Sequence, residues 1–149
     1  MLFRSPLASQ YKVNLEVDLD GDLPPIQGDA EHLRRVLTNL MDNAIKFVGN
    51  GGKVRVTAEH EGEFIKVSVI DNGPGIPAEY RKSVFERYVQ VPGVTGRRSG
   101  TGLGLTYSKM VVEMHGGQIW VEPSEWGGSA FNLRLPTANH TLEKYSSLS

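Results

Sequence analysis

The chain has 149 residues, of which 39% are apolar and 22% charged, and its 16 Lys and Arg nearly balance its 17 Asp and Glu, for a formal net charge of −1. These values are typical of one globular domain with a packed core, and they lack the basic excess expected of a protein that binds nucleic acid or an anionic membrane. The absence of cysteine excludes disulfides and thiolate metal sites and favours a reducing compartment, the cytoplasm.

The first half of the chain predicts a strand, a long helix and a hairpin. Apolar residues alternate along 13–19, and the Pro-Pro pair at 24–25 ends this strand. Asp29 is the predicted N-cap of a helix over roughly 30–48. Two further alternating runs, KVRVTAEH and FIKVSVID, meet at a turn over 61–63, and this pattern predicts an antiparallel β-hairpin.

The second half predicts two helices and a last pair of strands. A short helix is expected at about 78–84, and the Gly-, Thr-, Ser- and Arg-rich segment 92–100 reads as a mobile loop. A helix over about 103–114 ends at the Gly pair 116–117, and the runs QIWVEP and SAFNLRLP form strands. The predicted fold is an α/β two-layer sandwich, a mixed and mostly antiparallel sheet with about three helices on one face.

The first helix carries polar residues beside its apolar face. On a helical wheel, Leu33 and the four apolar residues within about 40° of it form one stripe. They are Leu33, Leu37, Leu40, Ala44 and Phe47. Asn39, Asn43 and Lys46 share one flank, about 80 to 140° from Leu33. Amide oxygens suit Mg²⁺ and an ammonium suits phosphate, although polar residues also begin simply where burial ends.

An acidic residue ends the second strand of the hairpin. Asp71 continues the alternation of Ile65, Val67 and Val69, so its side chain should point toward the core. A buried carboxylate needs a hydrogen-bond donor, and the exocyclic amine of a purine would serve. The alternative is that Asp71 only caps its own turn in DNGPGI. The glycines of that turn would also let a flat ligand approach the backbone.

Three glycines precede the last helix. They are Gly100, Gly102 and Gly104, in the sequence GTGLGL. Glycines at a helix N-terminus expose backbone N–H groups that bind phosphate, and the helix dipole favours an anion there. The spacing is that of neither a P-loop nor GxGxxG, and a flexible joint is the alternative.

Four of these segments occur together in a known order. LTNLMDNAIKF, DNGPGI, VFERYVQV and GTGLGL stand at the order and separations of the N, G1, F and G2 boxes, and the late strand GGSAFNLRLP also fits. Over residues 11–136 the chain therefore resembles the catalytic ATP-binding domain of bacterial two-component sensor histidine kinases, in the GHKL superfamily. The resemblance implies a Bergerat-type fold with the nucleotide between the first helix and a lid.

The resemblance also implies a role for each matching residue. Asn39 and Asn43 would hold Mg²⁺ and phosphates, Lys46 a phosphate, and Asp71 the adenine amine. Gly73, Gly75 and Ile76 would lie beside the base, with Phe85 and Tyr88 at the base of the lid. Catalytic charge stabilisation would come from Arg97 and Arg98, either of which is equally well a solvated loop residue. The lid would be formed by Gly100, Thr101, Gly102, Leu103, Gly104 and Leu105.

One position separates kinases from hydrolases in this superfamily. The related gyrase, chaperone and mismatch-repair ATPases carry Glu where this chain has Asn39, and Glu can activate water as a general base. An amide cannot accept that proton, so the resemblance implies a kinase that transfers the γ-phosphate of Mg-ATP to a histidine. The alternative function is an ATP-hydrolysing conformational switch of the same superfamily.

The acceptor histidine is expected outside this chain. None of the four histidines stands in the Ser-His-Glu context that such kinases phosphorylate. We therefore expect residues 1–10 to be a linker remnant from a dimerising phosphoacceptor hairpin, 11–136 the catalytic domain and 137–149 a flexible tail. The fragment should be soluble, monomeric and unable to autophosphorylate, and its parent should be a cytoplasmic or membrane-anchored homodimer that acts on a response regulator.

Overall fold

The computed structural model describes residues 8–9, 12–86 and 104–138. These residues contain five strands and two α-helices. The strands are β1 (Asn14–Leu19), β2 (Lys53–Glu61), β3 (Phe64–Asp71), β4 (Gln118–Pro123) and β5 (Ser129–Pro136), and the helices are α1 (Ala30–Val48) and α2 (Gly104–Met114). Two single-turn 3₁₀ helices, Ala78–Tyr80 and Ser83–Phe85, precede α2.

The strands form one mixed sheet in the order β1-β2-β3-β5-β4. β1 pairs with β2 in parallel, and every other neighbouring pair is antiparallel. One row of opposed residues crosses the sheet from Val17 through Val56, Val69 and Phe131 to Val121. The last four of these are buried, because alternate residues of each strand face the helices. The mixed, mostly antiparallel sheet predicted from the sequence is confirmed.

α1 spans the residues that the sequence predicts, and both ends have local causes. The Asp29 side chain accepts a hydrogen bond from the backbone N–H of His32 at 3.0 Å, which is an N-cap. At the other end Gly49 has a φ of 67°, and its N–H donates to the carbonyl of Ile45 at 3.2 Å. Both ends of α1 are therefore determined by the residues adjacent to them.

The buried face of α1 is wider than the predicted stripe. Leu40 and Ala44 are fully buried, as expected, but so are Val36 and Ile45, which lie outside that stripe. The reason is that α1 packs against β2 and β3 on one side and against α2 on another. Two covering surfaces bury more of a helix than one does.

α2 ends in a left-handed turn, as the paired glycines predict. Gly116 has a φ of 79°, and the N–H of Gly117 donates to the carbonyl of Val112 at 2.9 Å. The N–H of Gly116 donates to the carbonyl of Glu113 at 3.0 Å. Together these two bonds make a Schellman motif, which turns the chain directly into β4.

The prediction of about three helices is corrected to two within the described residues. The segment expected to be a helix at 78–84 forms two separate 3₁₀ turns instead. Each has only three residues. At this length i→i+3 hydrogen bonding is common, whereas an α-helix is not stable because its first turn is costly to form. No helix in the described part of the chain is long and apolar enough to cross a membrane.

The sheet face turned away from the helices carries a small polar network. The Ser68 hydroxyl donates to Oδ1 of Asn132 at 2.6 Å, and Nδ2 of Asn132 donates to Oε1 of Glu122 at 2.7 Å. Ser68 and Asn132 are both buried. They lie opposite each other on β3 and β5, so this network ties the two central strands together.

Candidate functional site

The carboxylate of Asp71 is the centre of the candidate site. Asp71 ends β3 opposite Val54, on the helix-facing side of the sheet, and only 1% of it is exposed. Its Oδ1 accepts hydrogen bonds from the backbone N–H of Gly73 at 2.9 Å and from that of Ser129 at 3.1 Å. Its Oδ2 is buried and has no hydrogen-bond partner among the described residues.

This geometry confirms the turn cap and the inward direction of Asp71, while its contact with a purine amine stays a prediction. The bond from Gly73, two residues on, is the local turn cap, and the inward direction predicted by the alternation is confirmed. Burial raises the pKa of Asp71, while the N–H donors of Ser129 and Gly73 act in the opposite direction. A buried acceptor without a donor is unfavourable, so Oδ2 is suited to receive an N–H from a ligand.

The turn after β3 brings its backbone close to the end of α1. A Cβ placed on Gly73 would lie 3.1 Å from Oδ1 of Asp71 and 3.4 Å from the carbonyl oxygen of Phe47. Gly75 has a φ of 77°, a conformation that L residues rarely adopt. Ile76 is buried, and its carbonyl accepts a hydrogen bond from Nε of Arg81 at 3.2 Å. The turn is therefore a defined surface beside Asp71.

The polar flank of α1 leads away from that turn. Asn39, Asn43 and Lys46 are each half-buried, and Asn39 and Asn43 are one turn apart. Burial also raises the pKa of Asp42 on this helix, an effect that the Lys46 ammonium opposes. The flank thus presents two amides and one cation at the border of core and solvent, as the wheel predicts.

Both ends of this flank have neighbours in the fold. One turn before Asn39, the Arg35 guanidinium lies 4.8 Å from the ring centroid of Tyr107, in the first turns of α2. At the other end the carbonyl of Phe47 faces Gly73. α1 therefore contacts the first turns of α2 at Arg35 and the turn after Asp71 at Phe47, so it connects two of the predicted site segments.

The start of α2 supplies the third segment. Gly104 is exposed and Leu105 half-buried, and their backbone N–H groups lie in the first turn, where an α-helix has no internal acceptors. The Thr106 hydroxyl donates to the carbonyl of Phe85 at 2.9 Å. Phe85 is buried and packs edge-to-face on Phe131, with ring centroids 6.2 Å apart. Core packing thus anchors the N-terminal turn of α2.

Several predicted site residues lie outside the described part of the chain. They are Tyr88, Arg97, Arg98, Gly100, Thr101, Gly102 and Leu103. The mobile loop predicted over 92–100 also falls there. Their predicted roles stay predictions.

The prediction missed the contacts that Asp71 makes with the β4–β5 loop (residues 124–128) and with the first residue of β5. The Ser129 N–H bonds Oδ1, and a Cβ on Gly128 would collide with the carbonyl and the carboxylate of Asp71. Ser124 contributes a further hydrogen bond, from its hydroxyl to the Asp71 carbonyl at 2.8 Å. The Gly pair at 127–128 was the available signal, because adjacent glycines ahead of a strand can mark a close backbone approach.

No cluster of three or more His, Cys, Asp or Glu side chains suited to a metal occurs among the described residues. The donors that the flank of α1 offers are amide oxygens, which are hard ligands of the kind that Mg²⁺ takes when phosphates complete its coordination. A buried carboxylate oxygen that can accept an amine N–H, amide oxygens with an ammonium, and the N-terminal turn of α2 together are chemically complementary to a purine nucleotide and its phosphates.

The sequence profile of the family described as histidine kinase-, DNA gyrase B-, and HSP90-like ATPases matches residues 28–139. The chain belongs to this family. It is 39% identical over 125 residues to the adaptive-response sensory kinase SasA of Parasynechococcus marenigrum (strain WH8102), a match that covers 83% of this chain and 33% of that protein. The chain thus spans about a third of the length of the SasA kinases that it matches.

Solved structures of sensor kinases have the same fold. The mycobacterial sensor histidine kinase MprB matches with a TM-score of 0.77 and 31% identity, over 87% of this chain and 88% of that one. Full-length ShkA in complex with AMPPNP matches with 0.75 and 32%, over 90% and 28%. ThkA in complex with the response regulator TrrA matches with 0.73 and 27%, over 88% and 36%. This chain is a histidine kinase-type ATPase domain.

Proposed function

We propose that this domain binds Mg-ATP and donates its γ-phosphate to a histidine on a dimerisation domain of a two-component sensor kinase. The observation that carries the proposal is the buried carboxylate of Asp71, of which one oxygen is held by the fold and the other has no partner among the described residues. An adenine amine would supply the missing donor.

The adenine would lie against the turn that follows β3. Oδ2 of Asp71 accepts the exocyclic N–H, and Gly73 and Gly75 let the flat base approach the backbone. Ile76, buried beside this turn, adds an apolar surface. Guanine carries a carbonyl where adenine carries the amine, so the same acceptor would select against it.

The phosphates would lie between α1 and the start of α2. The Asn39 and Asn43 amide oxygens would hold Mg²⁺, which when bound neutralises charge on the phosphate oxygens. Lys46 would bind a phosphate oxygen directly. The N–H groups of Gly104 and Leu105 would face the phosphates from the N-terminus of α2.

The remaining roles follow the resemblance over the segment from the F box to the G2 box. Arg97 and Arg98 would stabilise charge at the γ-phosphate, and Tyr88 would pack at the base of the lid. The lid itself would comprise Gly100, Thr101, Gly102 and Leu103, followed by the first turn of α2. Catalysis would then depend on positioning and charge neutralisation.

The relatives support the proposed partners. SasA is a sensory kinase, ShkA is bound to AMPPNP in its structure, and ThkA is bound to a response regulator. We propose by analogy that the parent of this domain is a homodimer that carries the phosphoacceptor histidine and passes the phosphate to a response regulator. The position of Asn39, an amide where hydrolases place a base, favours this transfer over hydrolysis.

The first test replaces the acceptor oxygen. In Asp71→Asn, Oδ1 can still accept from Gly73 and Ser129, but an amide N–H₂ then faces the adenine amine. We expect Mg-ATP affinity to fall about 10- to 100-fold, the range for a lost hydrogen bond to a charged group. Isothermal titration calorimetry measures the affinity, and circular dichroism checks that the fold is retained.

The matched control is Asp22→Asn, the same change at an exposed residue of the loop that precedes α1. It should bind Mg-ATP as the wild type does. Unchanged affinity in a folded Asp71→Asn variant would show that Asp71 does not bind the adenine, and the proposal would lose its main support.

A further inference from the structure

The β4–β5 loop is closed around one hydroxyl group. The Ser124 Oγ donates to the carbonyl of Asp71 at 2.8 Å and accepts from the N–H groups of Trp126 at 3.1 Å and Gly128 at 3.0 Å. The loop is also closed by the Ser124 N–H, which donates to the Gly128 carbonyl at 3.0 Å. A hydroxyl has one donor and two acceptor sites, and all three are used here.

These bonds attach the loop to the end of β3. Ser124 is 53 residues from Asp71 in sequence, so the bond to the Asp71 carbonyl joins two distant segments. Gly128 lies so close to Asp71 that a Cβ would collide with its carbonyl and carboxylate oxygens. The next residue, Ser129, then donates its N–H to Oδ1. The loop thus brings a second N–H donor to the carboxylate oxygen that already accepts from Gly73.

We propose that Ser124 is a positioning residue for nucleobase recognition: its hydroxyl holds the β4–β5 loop against β3, so that Oδ1 of Asp71 is occupied by backbone N–H groups and Oδ2 is presented to the base. This inference rests on the proposed function, because it assumes that Asp71 accepts the adenine amine. Ser124 itself does not contact the nucleotide. Its effect should therefore appear only for ligands that carry the amine.

The test compares two nucleotides on Ser124→Ala. ATP carries the exocyclic amine, whereas purine riboside triphosphate has hydrogen in its place and the same phosphates. We expect Ser124→Ala to weaken Mg-ATP binding about fivefold, which corresponds to loss of the one hydrogen bond between the adenine amine and Asp71. Binding of Mg-purine riboside triphosphate should change by less than about twofold. Ser124→Thr keeps the hydroxyl and should restore ATP affinity. Calorimetry measures all of these affinities.

Ser68→Ala is the matched control. It also removes a hydroxyl that makes a hydrogen bond, but this hydroxyl belongs to a buried residue of β3 on the sheet face away from Asp71. It should leave both affinities unchanged. In an Asp71→Asn background, Ser124→Ala should weaken ATP binding by less than about a further twofold, since the two residues act on one contact. If Ser124→Ala does not fold, Ser124→Cys replaces the hydroxyl with a weak donor of similar shape, and the same selective loss is expected.

The outcomes separate this inference from the proposed function. Equal weakening of both nucleotides would mean that Ser124 only stabilises the domain, and wild-type ATP affinity in Ser124→Ala would mean that the loop does not position Asp71. Either result overturns the inference while Asp71→Asn still weakens ATP binding. If Asp71→Asn binds ATP normally, the proposed function fails first, and the inference fails with it.

Discussion

Asp71 divides its two carboxylate oxygens between the fold and the site. Oδ1 completes the turn to Gly73 and the bond from Ser129, so it stabilises the end of β3. Oδ2 is buried without a partner among the described residues, which suits it to accept an N–H from a ligand.

The burial of Asp71 should be visible as a dependence of stability on pH. Burial raises the pKa of Asp71 above its ordinary value of 3.8. Below that value the carboxyl is protonated in both the folded and the unfolded chain, and its contribution to stability is then at its full value. That contribution is lost as the pH rises through the raised pKa, because the folded domain must then hold a buried charge or keep a proton that the unfolded chain releases.

We therefore expect the free energy of unfolding of the ligand-free wild type to decrease, relative to that of Asp71→Asn, as the pH rises from about 3.5 to 7. Urea denaturation of both proteins across this range measures the difference. A difference that stays flat, or that favours the wild type increasingly with pH, would contradict the burial of an ionised Asp71.

At the scale of elements, the ends of the helices are determined locally. Asp29 caps α1 and the pair Gly116–Gly117 ends α2, each through bonds to residues within the adjoining turn. The end of α2 matters for the site, because the turn at Gly116 sets the direction in which β4 leads into the loop that contacts Asp71. A defect there should destabilise the domain without touching the nucleotide contacts.

Gly116→Ala tests this cap. Gly116 has a φ of 79°, and the nearest atom to an added Cβ is Cγ of Pro136 at 3.6 Å, an ordinary contact. The penalty is therefore conformational, and we expect the free energy of unfolding to fall by about 1 kcal/mol. The control, Gly21→Ala, has no atom within 4 Å of the added Cβ and should change stability by less than about 0.5 kcal/mol. Equal losses in the two variants, measured by urea denaturation, would argue against left-handed strain.

At the scale of the whole molecule, the sheet and α1 bring the candidate site together at one corner of the domain. β3 brings Asp71 beside the β4–β5 loop, and α1 extends from this corner to α2. Two of the three histidines of the described residues, His32 and His115, have side-chain partners away from the candidate site. Nδ1 of His115 lies 2.8 Å from the carbonyl of Val111, and its Nε2 accepts the N–H of Asp29 at 3.0 Å. Nδ1 of His32 lies 3.1 Å from the Asp29 carboxylate.

The isolated domain should therefore bind Mg-ATP without labelling itself. Incubation with ATP labelled at the γ-phosphate should leave no phosphohistidine on the chain. Phosphate release should be on the order of 10⁻³ s⁻¹ or slower, because Asn39 cannot act as a general base. A full-length sensor kinase, labelled under the same conditions, is the positive control. Rapid, steady phosphate release by the isolated domain would instead support the ATP-hydrolysing switch.

Much of the fold could be predicted because its causes are local. The alternation of β3 gave the inward direction of Asp71, the wheel gave the flank of Asn39, Asn43 and Lys46, and a cap residue marked the start of α1. The prediction of a third helix at 78–84 was wrong, because so short a segment can form 3₁₀ turns as readily as an α-helical turn.

By itself, the sequence determined most of the secondary structure, the inward carboxylate and the four motifs that mark the family, since each depends on residues close together in the chain. Only the tertiary structure decided how that carboxylate is used. The donor to Oδ1 from Ser129 lies 58 residues away and the Ser124 hydroxyl 53, and both arrive because β5 pairs with β3. No periodicity in the sequence encodes which of two chemically equivalent oxygens a distant strand will occupy, since that choice depends on how the sheet is assembled.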